Sequence, residues 1–150
     1  MLSRALMIGV LSWPGLLGAA FWDRVEHPAP DRSAWATVVY FAAGHVCHQQ
    51  ADRSFHTYGE KWPVCARCAG LYPAAPFGVV WFLHRRRLAA RTSGLDPRVV
   101  FAASAIPTVL TLGWEWAGLG TPANHIRLLS ALPLGAAIAW VLLVVTHRID

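Results

Sequence analysis

Charge is scarce in this chain of 150 residues. Only 14% of them are Asp, Glu, Lys or Arg, against 55% hydrophobic, too few to cover a water-solvated domain of this size. Sulfur is scarcer still, with three cysteines and two methionines. There is no Gly-rich phosphate loop, HExxH helix or Gly-x-Ser-x-Gly elbow, so nucleotide hydrolysis and the common metalloprotease design have no support. Internal repeats, low-complexity tracts and flexible linkers are missing too, and the length suits one compact unit rather than two. The net charge is +5, but no aromatic-rich basic groove accompanies the basic residues, which removes nucleic acid as an expected partner.

What the chain has in abundance is long apolar text. A helix crossing a hydrocarbon core of about 30 Å needs roughly 20 mostly apolar residues, because no backbone polar group can stay unpaired there. Ala5 to Trp22, Val99 to Leu119 and Leu128 to Thr146 qualify, and Ala66 to Leu83 qualifies if its helix starts inside the cysteine motif. Ala34 to Val46 would make a helix only about 20 Å long, half a crossing. The expected fold is an all-α membrane bundle of four transmembrane helices, or five if Ala34 to Val46 also crosses, forming a single integral membrane domain over residues 1–150. Arg4 followed by an apolar run and by Gly18, Ala19 and Ala20 also fits a secretory signal, the alternative reading of the first span. Asp23 to Ser33, Asp52 to Pro63, Arg85 to Arg98 and Gly120 to Arg127 read as loops.

The basic residues have a topological meaning. Arg85, Arg86, Arg87, Arg91 and Arg98 fall in one short connection, whereas Asp23 to Cys68 sets Arg24, Arg32, Arg53, Lys61 and Arg67 against five acids. Excess Lys and Arg mark the cytoplasmic side, so the Arg85 to Arg98 loop is expected inside. The helix before that loop then runs inward, and the cysteine motif at its start faces outward. The expected location is the inner (cytoplasmic) membrane of a bacterial-type cell, with the lipid bilayer as surroundings.

All three cysteines, Cys47, Cys65 and Cys68, lie within one short region, residues 45–72, together with His45, His48 and His56. A Cys-x-x-Cys pair lets two thiolates converge on one metal, and ligands from elsewhere complete a tetrahedron of zinc type. Cys47 and His48 are the first choice for that second pair. Adjacent residues diverge by about 100° on a helix, so His45 and His56 compete with His48 for the fourth position. The functional alternative is redox chemistry. An external Cys65-x-x-Cys68 at the first turn of a helix, spaced by Arg67, would cycle as a dithiol with Cys47 resolving, in the manner of small membrane oxidases that pass electrons to quinone. A static Cys65 to Cys68 disulfide or buried free thiols are the bland alternatives.

The run Cys47-His48-Gln49, then Arg53-Ser54-Phe55, Gly59 and Pro63-Val64-Cys65-Ala66-Arg67-Cys68-Ala69-Gly70-Leu71-Tyr72 resembles the signature of a family of small prokaryotic membrane proteins called domain of unknown function 2085. Asn124, Arg127 and Gly135 agree more loosely, and Gln50, Ala51 and Asp52 depart from the family's more Pro- and Glu-like text. The resemblance implies a multi-helix membrane protein and a site at the cysteine motif. It names no reaction.

Glu115 stands between Trp114 and Trp116 in an apolar helix, where a carboxylate is costly unless paired, protonated or wet. It is a candidate metal ligand, a general base for a metal-bound water, a partner for Arg67 or Arg127, or an interfacial residue. Asn124, His125 and Arg127 could join Arg53 and Arg67 around an anionic group such as a lipid phosphate. A simpler account makes Arg127 an interfacial anchor and Asn124 a cap. A lipid or a small molecule is therefore the expected kind of substrate.

Overall fold

The computed structural model describes residues 2–87 and 96–149, so Arg91 and most of the Arg85 to Arg98 connection lie outside the described residues. The described residues are all-α apart from one small hairpin. Its elements are α1 (Leu2–Glu26), α2 (Ala34–Val46), a 3-10 turn (Ala51–Arg53), β1 (Ser54–Thr57), β2 (Glu60–Cys65), α3 (Ala66–Arg87), α4 (Pro97–Trp116) and α5 (Asn124–Ile149).

Among the described residues three helices, α1, α4 and α5, are long and apolar enough to cross a membrane. α3 has 22 residues but ends in His84, Arg85, Arg86 and Arg87, which dilute its apolar character. Its neighbour settles its role. Gly70 of α3 faces the Leu128 backbone of α5, and Gly78 faces that of Ala136 eight residues further along both helices. The two helices therefore run side by side in the same direction, and where α5 crosses, α3 crosses with it. α4 returns antiparallel between them in sequence. Its Val100 packs near Trp140, its Thr108 hydroxyl donates to the Ser130 carbonyl at 2.9 Å, and its Glu115 meets Arg127. α1 lies antiparallel to α3, with Leu6 near Phe82 and Trp13 edge-on to Tyr72.

α2 does not add a fifth span. Its Ala36 and Tyr40 close on Ala20 of α1, and further along Ala43 and Cys47 reach Leu17 and, on α3, Ala69. The helix thus begins and ends at the same end of the bundle, folded back along α1, as its 13 residues allow. The start of α1, Arg85 to Arg87 and the end of α5 consequently share one end. The cysteines occupy the other.

The stretch read as a loop from Asp52 to Pro63 is instead the 3-10 turn and the hairpin. Thr57 pairs with Glu60 across a two-residue turn in which Tyr58 and Gly59 both have positive φ, 54° and 78°. That is the backbone of a type I′ turn, whose twist matches the flanking strands. The register shifts between the His56 and Ser54 pairs, where Pro63, lacking an N–H, interrupts the ladder. Two strands alone are marginal in water. These are held by Trp62, which packs on Phe55 and on Phe21 of α1 with ring centroids 5.2 and 5.7 Å apart.

The α3–α5 contact is made through backbone. A methyl group added at Gly70, Gly78 or Gly135 would collide with the carbonyl of Leu128, Ala136 or Leu71 respectively. Without a hydrophobic drive between helices in lipid, such close approach supplies the association through dispersion contacts. Gly78→Val is accordingly expected to destabilise the fold by about 1–3 kcal/mol, read as a lower midpoint for thermal loss of helical signal in detergent. Gly113, which has open space around it, is the control, and Gly113→Val should not be strained in this way.

Candidate metal centre

Cys47 follows the last turn of α2, where its backbone N–H donates to the Ala43 carbonyl and its own conformation is extended. Cys65 ends β2 and Cys68 sits in the first turn of α3. The sulfurs of all three lie within 4.8 Å of one another. Tetrahedral ligands at about 2.3 Å from an ion stand roughly 3.8 Å apart, so small side-chain rotations bring these sulfurs onto one ion. None is in a disulfide, and Cys47 is buried. Hydrogen bonds from the Cys65 and Cys68 thiols, and from the Cys65 backbone N–H at 3.1 Å, hold the Cys47 thiol well below the usual thiol range despite its burial.

The chain between the sulfurs is fixed by Gln49. This residue takes a left-handed conformation, φ 48°. Its side-chain amide donates to the carbonyls of Tyr40 and Pro63 at 2.8 and 2.7 Å, and its own carbonyl accepts from Lys61 Nζ at 2.7 Å. One side chain thus ties the end of α2 to β2 and sets Cys47 opposite Cys65.

The histidines are placed differently. Among the described residues no His nitrogen joins the three sulfurs within that distance. His48 is exposed but lines the same cavity as the cysteines. The His45 ring lies against Phe41, with Nδ1 3.0 Å from the Phe41 carbonyl oxygen. His56 is exposed on β1, across from Lys61.

Glu115 takes the paired form. Its Oε1 accepts from Arg67 Nη2 at 2.9 Å and from Arg127 Nε at 2.8 Å. Arg127 is 3% exposed, so it is a buried bridging residue and not the interfacial anchor that a simple reading of its loop suggests. Its Nη1 donates to Asn124 Oδ1 at 3.0 Å, and Asn124 Nδ2 donates to the Ser54 carbonyl at 3.1 Å. The group joins α3, α4, α5 and the hairpin. Arg127 also belongs to α5, which starts at Asn124, inside the stretch expected to be a loop.

A cavity of about 310 Å³ opens beside the sulfurs, lined by Val46, Cys47, His48, Gln50, Arg53, Cys65, Arg67, Cys68 and Arg127. Glu115 is not on its wall. The carboxylate therefore orients Arg67 and Arg127, which do line it. Sequence reasoning assembled the cysteines and arginines but missed Gln49 as a clip. Its signal was available only as a polar residue directly after the Cys47-His48 pair.

Removing one member of a buried ion group leaves its partners charged and unpaired, at a cost of about 3–5 kcal/mol. Glu115→Ala is expected to lose stability on that scale. In a double-mutant cycle with Arg127→Ala, the combined loss should fall well short of the sum of the two single losses. Additive losses would mean that the two side chains do not pair.

No solved structure matches the chain. An uncharacterised protein of Methanothermobacter thermautotrophicus is 27% identical over 105 residues, which are 70% of this chain and 91% of that protein. An uncharacterised protein of Methanocaldococcus jannaschii is 25% identical over 105 residues, 70% of this chain, and the match spans 66% of its length. The family model described as "Predicted membrane protein (DUF2085)" matches residues 47–141, from the first cysteine of the centre well into α5, and this chain belongs to that membrane-protein family.

Proposed function

We propose that this protein holds one zinc-type ion at the outer face of the cytoplasmic membrane, bound by Cys47, Cys65 and Cys68, with a fourth position open to the adjoining cavity. The observation that supports it is the meeting of three sulfurs within 4.8 Å from separate elements of the chain. Thiolates are the ligands zinc favours, and three protein ligands with one exchangeable position are the pattern of catalytic rather than structural sites. When bound there, such an ion would supply a Lewis-acid position for a small molecule or a lipid headgroup. This chain's own part is to hold the sulfurs through Gln49 and to line the approach with Arg53, Arg67 and Arg127. His48 on the cavity wall is the candidate to close the fourth position in a structural site, with His45 and His56 behind it.

The outward orientation is argued from charge. Arg85 to Arg87 and Arg98 border the connection at the end of the bundle away from the cysteines, and excess positive charge in short loops marks the cytoplasm.

A second reading has its own support in the free state of the three neighbouring sulfurs. In it the Cys65 and Cys68 thiols give up two electrons and two protons to a quinone, forming one disulfide and a quinol, with Cys47 as the resolving thiol. An external, oxidising compartment suits that chemistry.

Elemental analysis of the purified chain, paired with a thiol count, separates the two. The metal reading expects about one zinc per chain, thiols that react only after chelation, loss of zinc in each of Cys47→Ser, Cys65→Ser and Cys68→Ser, and retention in His48→Ala. Metal-free protein with a reversible Cys65 to Cys68 disulfide would displace it in favour of the oxidase. On intact cells treated with a chelator, a membrane-impermeant thiol reagent is expected to reach the site. Protection there, with labelling after lysis, would turn the topology over.

A further inference from the structure

The metal reading uses the sulfurs around the cavity and gives its arginines no ligand, although Arg67 and Arg127 share Glu115. Arg53, Arg67 and Arg127 come from the 3-10 turn, α3 and α5, and all three line the cavity of about 310 Å³. Like charges repel most where water is excluded; the Arg67 and Arg127 side chains are 15% and 4% exposed and that of Arg53 is 43% exposed, so the repulsion around this small space falls mainly on the first two. Glu115 provides a single carboxylate for Arg67 and Arg127. Asp52 comes within 3.8 Å of Arg53 Nε, but its side chain is 75% exposed, and a solvated pair of that kind contributes little. An ion of charge +2 on three thiolates would add only one further negative charge.

The same side chains also carry unpaired donors behind the cavity surface. Among the described residues, three buried side-chain nitrogens or oxygens lack a hydrogen-bond partner: the Nε atoms of Arg24, Arg53 and Arg67. The Arg24 guanidinium stacks on the Tyr40 ring, 3.4 Å from its centroid. The other two belong to side chains that line the cavity, the Nε atoms themselves lying buried behind its surface. Buried N–H donors are costly to leave without an acceptor.

We infer that this cavity binds a phosphate-type oxyanion. The inference rests on the metal reading only in setting that anion beside the three sulfurs. Arginine forks present planar sets of N–H donors that match phosphate oxygens with two bonds at a time. The volume is that of about ten waters of liquid, enough for a phosphate monoester with part of what it is attached to. The cavity opens at the end of the helix bundle, where lipid headgroups lie, so the phosphate can come from a lipid or from a soluble monoester.

The test uses the full chain in phosphatidylcholine nanodiscs, with zinc content measured on the same samples. Inorganic phosphate is titrated calorimetrically, and a parallel set of nanodiscs carries phosphatidic acid, with retained lipid read by native mass spectrometry. Saturable binding is expected, weakened about tenfold or more in Arg53→Gln, with Arg53→Lys recovering part of it. Arg53 is the residue to change because it stands outside the Glu115 ion group, so the variant should remain folded. Retention of phosphatidic acid assigns the lipid source, and binding of inorganic phosphate without such retention assigns the soluble one. Either supports the inference. Absence of binding to folded, wild-type protein, or equal affinity in Arg53→Gln, overturns it. A chain that binds phosphate but carries no zinc would keep this inference and remove the metal reading. A chain with one zinc and no phosphate binding would do the reverse.

Discussion

Backbone-to-backbone contact between α3 and α5 is the constraint on which the rest of this protein depends. Gly70, Gly78 and Gly135 let the two helices approach until carbonyls of one face the α-carbons of the other, and the parallel direction puts both N-terminal turns at one level. That single fact aligns Arg67 and Cys68, at the start of α3, with Asn124 and Arg127, at the start of α5. The antiparallel α4 then delivers Glu115 to the same level from the opposite direction. A side chain at any of these glycines would push apart the ends that build the centre.

Polar groups at this depth survive because they are used together. A lone carboxylate between two tryptophans in an apolar helix would be expensive, as would a guanidinium that is 3% exposed. Joined through one oxygen of Glu115, they form a cross-brace among three helices, and Asn124 extends it to the hairpin. Whether such a group adds net stability over an apolar replacement is a separate matter from what it specifies. It specifies where two arginines point, and both point to the space beside the sulfurs.

Much of this was legible in the sequence, and the boundary is physical. Three long apolar runs, with α3 beside them, carry the membrane architecture because lipid demands length and apolarity, both readable one residue at a time. The short length of Ala34 to Val46 favoured four spans over five without deciding between them. Cysteines so rare and so close together announced that their sulfurs meet. What stayed hidden is which faces meet. In a soluble helix, apolar periodicity marks the inner face; here nearly every face is apolar, so Gly78 and Gly135 gave no sign of being partners. The pairing of Glu115 with Arg67 or Arg127 was legible only as one option among several, because the two arginines reach it through an antiparallel return and not through spacing on one helix. The hairpin was masked by Pro63 and by a polar text, while the Tyr58-Gly59 turn, in hindsight, carried the glycine that such a turn favours.

The brace also bears on how the protein enters the membrane during synthesis. Glu115 lies near the end of α4, and the nearer of its partners along the chain, Arg127, is only 12 residues further on. An inserting α4 released alone would meet hydrocarbon with an uncompensated carboxylate, whereas a helical hairpin of α4 and α5 arrives with that charge already answered. Arg67 waits in the segment made earlier. The helices α4 and α5 therefore leave the translocation machinery most favourably as a pair, and the cysteine end of the bundle is completed when α5 arrives.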